Sequence, residues 1–205
     1  MLDINVDVTR GASVAEWMTA FGTLGAVVVA LLLGLVVPVV RARWRSPRLE
    51  ISYQPGEPYC RDAPIPPKLV PAHWVRVKVT NKGRGTAKRC KGEMIAVYGA
   101  DGRPRDDRDP MPLYWSGVSW EQPPEPLDLA RHESEYLGVV YAQSDNTNAA
   151  LISTHRRGAG FPKELEAGKE HRVRLAVYAD NAKRKTAEFL ITFGGDIDSL
   201  EMKPA

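Results

Sequence analysis

Trp74-Val-Arg-Val-Lys-Val-Thr-Asn81 is the stretch that decides the fold. Val75, Val77 and Val79 alternate with Arg76, Lys78 and Thr80. A period of two puts one set of side chains in a core and the other in water, which is the pattern of a half-buried β-strand.

The neighbouring sequence repeats the theme. LEISY (49–53) opens the domain, and a loop follows in which Pro55, Pro58, Pro64, Pro66, Pro67 and Pro71 forbid a regular helix. GEMIAVYGA (92–100) is a strand closed by the turn signal Asp101-Gly102, SEYLGVVYA (134–142) is a third strong one, and ALIST (150–154) a weaker one. HRVRLAVYA (171–179) and TAEFLITF (186–193) are joined by the polar turn DNAKRK as a hairpin. A short helix is expected only near 162–167. Sixteen prolines and 17 glycines fit many turns between short strands. Seven to nine strands of this kind predict a mainly β domain, residues 49–205, folded as an antiparallel β-sandwich, with a closed barrel as the alternative.

The run from Trp74 to Gly83 with Thr86-Ala87 resembles the strand, Asn-x-Gly, small-residue signature of immunoglobulin-like prokaryotic sandwiches, such as the CARDB-type adhesion-related domains. Leu165-Glu-Ala-Gly168, leading into 171–179, is similar to the turn and strand of their second half. The resemblance implies an immunoglobulin-like sandwich with a binding or scaffolding role. Many such domains lie outside the cell.

Before the domain, WMTAFGTLGAVVVALLLGLVVPVV (17–40) carries no charge and holds five leucines and seven valines. At about 1.5 Å per residue it reaches about 36 Å, enough to cross a hydrocarbon core of about 30 Å. The sequence therefore reads as a short tail (1–16), a membrane-spanning helix (17–40), a basic juxtamembrane segment (41–48) and the β-domain. An acidic stretch precedes the helix and RARWR follows it, the reverse of a cleaved signal peptide. Arg41, Arg43, Arg45 and Arg48 after the helix, against Arg10 before it, place the tail outside and the β-domain in the cytoplasm by the positive-inside rule. Trp17 and Trp44 mark the two interfaces. Ala26, Ala30 and Gly34, with Gly22 a turn earlier, form a small-residue stripe on which two such helices pair closely. Pro38 removes one backbone hydrogen bond near the cytoplasmic end.

The chain has 205 residues, 28 basic and 25 acidic, a net charge of +3. That excess falls short of a nucleic-acid-binding signature, so no specific nucleic acid is expected as a partner. Mean hydropathy is −0.30 in spite of the apolar helix, so the domain is distinctly polar. Two cysteines, Cys60 and Cys90, exclude a disulfide-dense module and leave open whether they are bridged.

Candidate chemistry is sparse. Lys82, Arg84, Lys88, Arg89 and Lys91 read as a solvated loop, with acidic lipid headgroups as the alternative contact. Cys60, His73 and Cys90 fit no zinc spacing, and no cofactor is expected. Asp106, Asp107 and Asp109 alternate with Arg103, Arg105 and Arg108, which neutralise a cation site. His132, His155 and His171 are scattered, with no nucleophile motif near them. Tyr114, Trp115 and Trp120, beside Pro123-Pro124, are either a binding loop or a cover for one open end of the sandwich. The expectation is a non-enzymatic interaction or scaffolding module, anchored in the lipid bilayer, with a protein partner and self-association through its helix. The alternatives are an extracytoplasmic adhesion or envelope-binding module, and an anchored hydrolase or enzyme subunit.

Overall fold

The computed structural model describes residues 14–65, 69–98, 110–117, 123–154 and 164–205, and of Ala42 and Arg43 only the backbone. The tail before Val14, the 103–109 charge cluster, Trp120 and His155 lie outside the described residues. The chain divides at Arg45/Ser46 into a helical unit and a β-domain.

The helical unit runs as α1 (Val14–Leu31), a π-helical turn (Leu32–Val36) and α2 (Val37–Trp44). It is longer than the apolar run at both ends and takes in Arg41 and Arg43. From Val14 to Arg41 its 28 residues are long and apolar enough to cross a membrane, and none of that stretch is buried. The π turn closes with the Val37 N–H donating to the Leu32 carbonyl, one residue further back than in an α-helix. Pro38 follows at once. Its ring lacks an N–H and crowds the preceding turn, and a π turn is one of the recognised ways a helix absorbs such an insult. The disturbance expected at Pro38 thus shows as a widened turn ahead of it.

The domain is a mainly β sandwich of two antiparallel six-stranded sheets. The first contains β1 (Leu49–Ser52), β2 (Cys60–Asp62), β3 (Ala72–Asn81), β7 (Ser134–Gln143), β8 (Ala149–Ile152) and β9 (Glu164–Glu166). Their order is β1-β3-β7-β8-β9, with β2 on the same edge of β3 as β1. The second contains β4 (Ala87–Val97), β5 (Met111–Pro112), β6 (Leu127–Leu129), β10 (Glu170–Ala179), β11 (Ala182–Thr192) and β12 (Glu201–Pro204), in the order β12-β11-β10-β4-β5 with β6 also on β4. Val75, Val77 and Val79 are all fully buried, as their period requires. Each contributes about 1.5–3 kcal/mol of hydrophobic stabilisation. They face Met94, Leu137, Val173, Leu175 and Ile191 in one continuous core. Gly92 of β4 lies where the sheets come closest: an added Cβ would stand 2.2 Å from the Leu137 side chain.

Among the described residues there are twelve strands where seven to nine were expected, because five segments of two to four residues (β2, β5, β6, β9 and β12) pair too briefly to show a period. Three local expectations are corrected. Lys88, Arg89 and Lys91 are not in a loop but in the first half of β4. There a bulge between Ala87 and Cys90, with Arg89 at φ 52°, breaks the alternation that would have revealed the strand. Glu164–Glu166 is strand β9 and not part of a helix. The β10–β11 hairpin closes with Asp180-Asn181 alone, since Ala179 already pairs with Ala182.

The end of β3 is fixed by one side chain. Asn81 is fully buried, and its Oδ1 accepts the N–H groups of Arg48 (3.1 Å) and Gly83 (3.0 Å). Its Nδ2 donates to the carbonyls of Gly85 (2.7 Å) and Leu129 (3.0 Å), with that of Ala130 at 3.3 Å. Gly83 must be glycine for steric reasons, because an added Cβ would lie 2.4 Å from the Arg48 nitrogen and 2.5 Å from the Pro47 Cα. Asn81→Ala leaves two backbone N–H groups and three carbonyls without their partner. It should destabilise the domain by about 2–4 kcal/mol, read as a fall in the urea unfolding midpoint.

A second polar cluster lies at Glu188, opposite Arg174 in the β10–β11 register. Its carboxylate accepts from Tyr98 Oη (2.6 Å), Arg174 Nε (2.7 Å) and Arg172 Nε (2.9 Å). Both guanidinium groups also sit over the Tyr98 ring, at 4.8 and 5.4 Å. The Tyr98 hydrogen bond, helped by those from the two arginines, holds the Glu188 carboxyl down at about 2. A carboxyl depressed on folding stabilises the fold above its unfolded pKa of about 4.3, and that stabilisation fades as pH falls toward 2. Glu188→Gln should therefore lower stability at neutral pH by about 1–2 kcal/mol. The gap between variant and parent should close between about pH 4.3 and pH 2 in urea titrations at each pH.

Candidate functional site

The site of interest grows from an irregularity in the first sheet. β3 and β7 pair in register until Val75↔Val140, then shift so that Arg76 faces Gly138 and Val139 is the extra residue. A bulge of this kind bends the strand and re-aims the side chains beside it. Because the odd residues of β3 enter the core, Trp74 and Arg76 stand on the outer face. Trp74 stacks on Tyr141 with ring centroids 4.3 Å apart, and its Nε1 donates to the Ala63 carbonyl (3.0 Å).

The opposite wall comes from residues that change sheets. Met111 and Pro112 pair with Met94 and Glu93 of β4, and the Leu113 N–H donates to the Gly92 carbonyl. The chain then passes into the first sheet. Leu113 bridges to Thr154 and Trp115 to Leu137, the Gly138 N–H donates to the Tyr114 carbonyl (2.8 Å), and the Ser116 N–H donates to that of Tyr136 (2.7 Å). This segment fills the gap where β7 and β8, which pair at Val140↔Ile152 and Tyr141↔Leu151, part from one another. Tyr114 and Trp115 are therefore buried, 2% exposed each, and close the side of the sandwich. They do not project from a loop. Trp120, the third ring of the expected binding loop, lies outside the described residues.

Between these walls lies a pocket of about 160 Å³. Arg76, Gly138 and Ser153 line it, with Trp74 and Arg61 on one side and Tyr114 and Ser116 on the other. Gly138 makes room for its neighbour: an added Cβ would meet the Ser153 Oγ at 2.6 Å. Arg76 is held by three contacts. Nη2 donates to the Pro58 carbonyl, Nη1 lies 3.4 Å from the Ser116 Oγ, and the guanidinium carbon sits 5.0 Å above the Tyr136 ring. Its Nε is buried with no partner, and so is the Ser153 Oγ. Burial lowers the pKa of Arg76 below its ordinary value, and the charge of Arg61 pushes the same way. Among the described residues neither guanidinium is joined to a carboxylate. The pocket is thus electropositive and supplied with hydrogen-bond donors.

The other sequence candidates are dispersed. Trp17 and Trp44 are exposed on the helical unit, as are Arg41 and Arg45, while Arg48 opens the domain. Gly34 and Gly22 have open space around them, and Ala26 and Ala30 are exposed. Cys60 and Cys90 are both free and lie in different sheets. Cys90 is buried and its thiol is pushed up to about 11 by that burial; Cys60 is half-buried, 3.6 Å from the Tyr53 Oη. His73 is not near Cys90 but contacts Asp62 at 2.7 Å. Among the described residues no three His, Cys, Asp or Glu side chains gather as a metal site. Sequence reasoning missed Arg76 and Ser153, because Arg76 reads as the solvated half of an alternating strand. The one signal was Gly138 inside a strand, a common mark of a bulge or a close approach. Comparison with family models, with curated proteins and with solved structures returns no match.

Removing a single hydroxyl at the pocket is expected to be tolerated better than removing a ring of the crossover that walls it. Trp115→Ala, which deletes a buried ring between the sheets, should destabilise the domain by about 3–5 kcal/mol in urea unfolding, whereas Ser116→Ala should change stability by less than about 1 kcal/mol.

Proposed function

We propose that the protein is a single-pass, membrane-anchored, non-enzymatic interaction module whose β-sandwich stands in the cytoplasm and recruits or scaffolds a protein partner. The observation that carries this reading is the helix. Twenty-eight residues from Val14 to Arg41 are apolar enough to span a bilayer and none of that stretch is buried in the chain's own core. Apolar surface of that extent calls for lipid. The arginines at 41, 43, 45 and 48 support a cytoplasmic domain. The uncovered stripe of Ala26, Ala30 and Gly34 supports self-association in the membrane. A binding role is supported by the electropositive pocket and the hydrogen-bond donors that line it.

The resemblance of Trp74–Gly83 to CARDB-type domains favours a second reading, an extracytoplasmic envelope-binding module with the same anchor. The thiols separate the two. In intact cells a membrane-impermeant maleimide should leave the protein unlabelled, and after permeabilisation it should label Cys60, with Cys60→Ser removing the signal. Cys90 should react only on unfolding, since it is buried and its thiol titrates near 11. Labelling of Cys60 in intact cells would reverse the orientation. The partner is sought by in-cell cross-linking of the full chain, and recovery of the chain alone from every cross-linking condition would overturn the recruiting role. Gly34→Leu should reduce any helix-mediated dimer seen in the same experiment.

A further inference from the structure

We propose that the outer face of the first sheet carries a carboxylate-binding site, with Arg76 and Ser153 as the two groups that hold the acid. The inference goes beyond the anchored-module reading and does not depend on which side of a membrane the domain occupies.

Two observations meet at one place. Among the described residues, the buried side-chain polar atoms without a hydrogen-bond partner are the Arg76 Nε and the Ser153 Oγ. Both residues line the same pocket of about 160 Å³. Buried polar groups are nearly always paired, so two orphans on residues that line one cavity mark a place where the missing partner comes from outside the chain. Ser153 is 1% exposed and packed against Gly138, so it cannot turn out to bulk solvent. An N–H donor and an O–H donor are the groups that a carboxylate, an acceptor only, calls for. The Arg76 charge, reinforced by Arg61 and partly offset by Glu135, supplies the attraction, because among the described residues no carboxylate forms an ion pair with either guanidinium. A charge-assisted pair with guanidinium is the stronger class of hydrogen bond.

The same features disfavour a phosphoryl group. Three terminal oxygens and a double charge call for a helix N-terminus or a cradle of successive backbone N–H groups, and the lining contributes strand residues and two glycines instead. Pockets that enclose drug-sized ligands run to about 300–1,000 Å³. This one suits an acid with a short carbon body lying against Trp74. That acid is either a free small molecule or the side chain of a polypeptide.

The test uses the full chain in detergent micelles, titrated with sodium propionate at constant ionic strength and followed by ligand-observed NMR. Saturable binding is expected, with inorganic phosphate at least about tenfold weaker. Arg76→Gln should weaken propionate about tenfold or more, and Ser153→Ala about three- to tenfold. Ser153→Ala should do so without lowering the urea midpoint, because it removes an unpartnered hydroxyl. If Arg76→Gln fails to fold, Ser153→Ala decides alone. A blocked peptide carrying one glutamate distinguishes the source: binding that propionate displaces points to a polypeptide side chain, and propionate binding without it points to a free acid. The proposal is overturned if propionate does not saturate, if phosphate binds as well, or if Ser153→Ala lowers stability and leaves binding unchanged.

Discussion

The domain hangs on one buried amide. Asn81 ends β3, and the strands around it would otherwise leave five main-chain groups facing each other without partners. Its oxygen takes the N–H groups of Arg48, where the chain enters the domain, and Gly83, while its nitrogen reaches the carbonyls of Gly85, Leu129 and Ala130. The farthest of these groups in sequence, at Ala130, lies 49 residues from Asn81. Only asparagine or glutamine offers both a donor pair and an acceptor, and the shorter side chain suits contacts this near its own backbone. A buried polar group so fully satisfied fixes one register, because every alternative leaves main-chain groups dry and unpaired. Gly83 completes the arrangement by letting the segment at Pro47-Arg48 lie against it.

The parts of this fold that were legible in the sequence are the long strands and the helix. The alternation of Val75, Val77 and Val79 gave β3, that at 171–179 gave β10, the run of β-forming residues at 134–142 gave β7 in spite of its bulge, and the apolar run gave the helix. The unread parts have physical reasons. The bulge around Arg89 interrupts the alternation of β4, so a basic strand looks like a basic loop. The five shortest strands hold two to four residues each, too few to display a period, and β5 even contains a proline. It sits on the sheet's edge, where a missing N–H is tolerated. Asn81 was visible as a turn motif, but the sequence could not show that its amide reaches residues 129 and 130.

The site was less legible than the fold for the same reason. Period two assigned Arg76 to the solvated face, and it does stand on that face. What changes its surroundings is a segment from the other sheet. Residues 113–116 leave β4's edge, lodge between β7 and β8, and turn part of an open surface into a walled pocket. A composition unusual enough to notice, tyrosine and tryptophan together, marked that segment, but both residues are buried and Trp115 joins the core. The backbone beside them does the work on the outer face: the Tyr114 carbonyl ties down Gly138, and Ser116 meets the guanidinium of Arg76.

The energetic position of the pocket follows from its construction. Burying a donor without an acceptor costs about 1–3 kcal/mol, and more for a charged group. The fold bears that cost at Arg76 and Ser153 while it satisfies every bond that Asn81 can make. Packing alone would not produce this contrast, since an alanine at 153 would fit against Gly138 without the penalty. The Arg76 charge is held in place by the Pro58 carbonyl and the Tyr136 ring, neither of which neutralises it. A guanidinium fixed in place and without an ion-pair partner among the described residues keeps its attraction for an anion, and the Tyr136 ring beneath it favours the charged form. The bulge, the glycine at 138 and the crossing segment are therefore one device. Each has a local structural reason, and together they hold a positive charge at one place on the sheet's outer face.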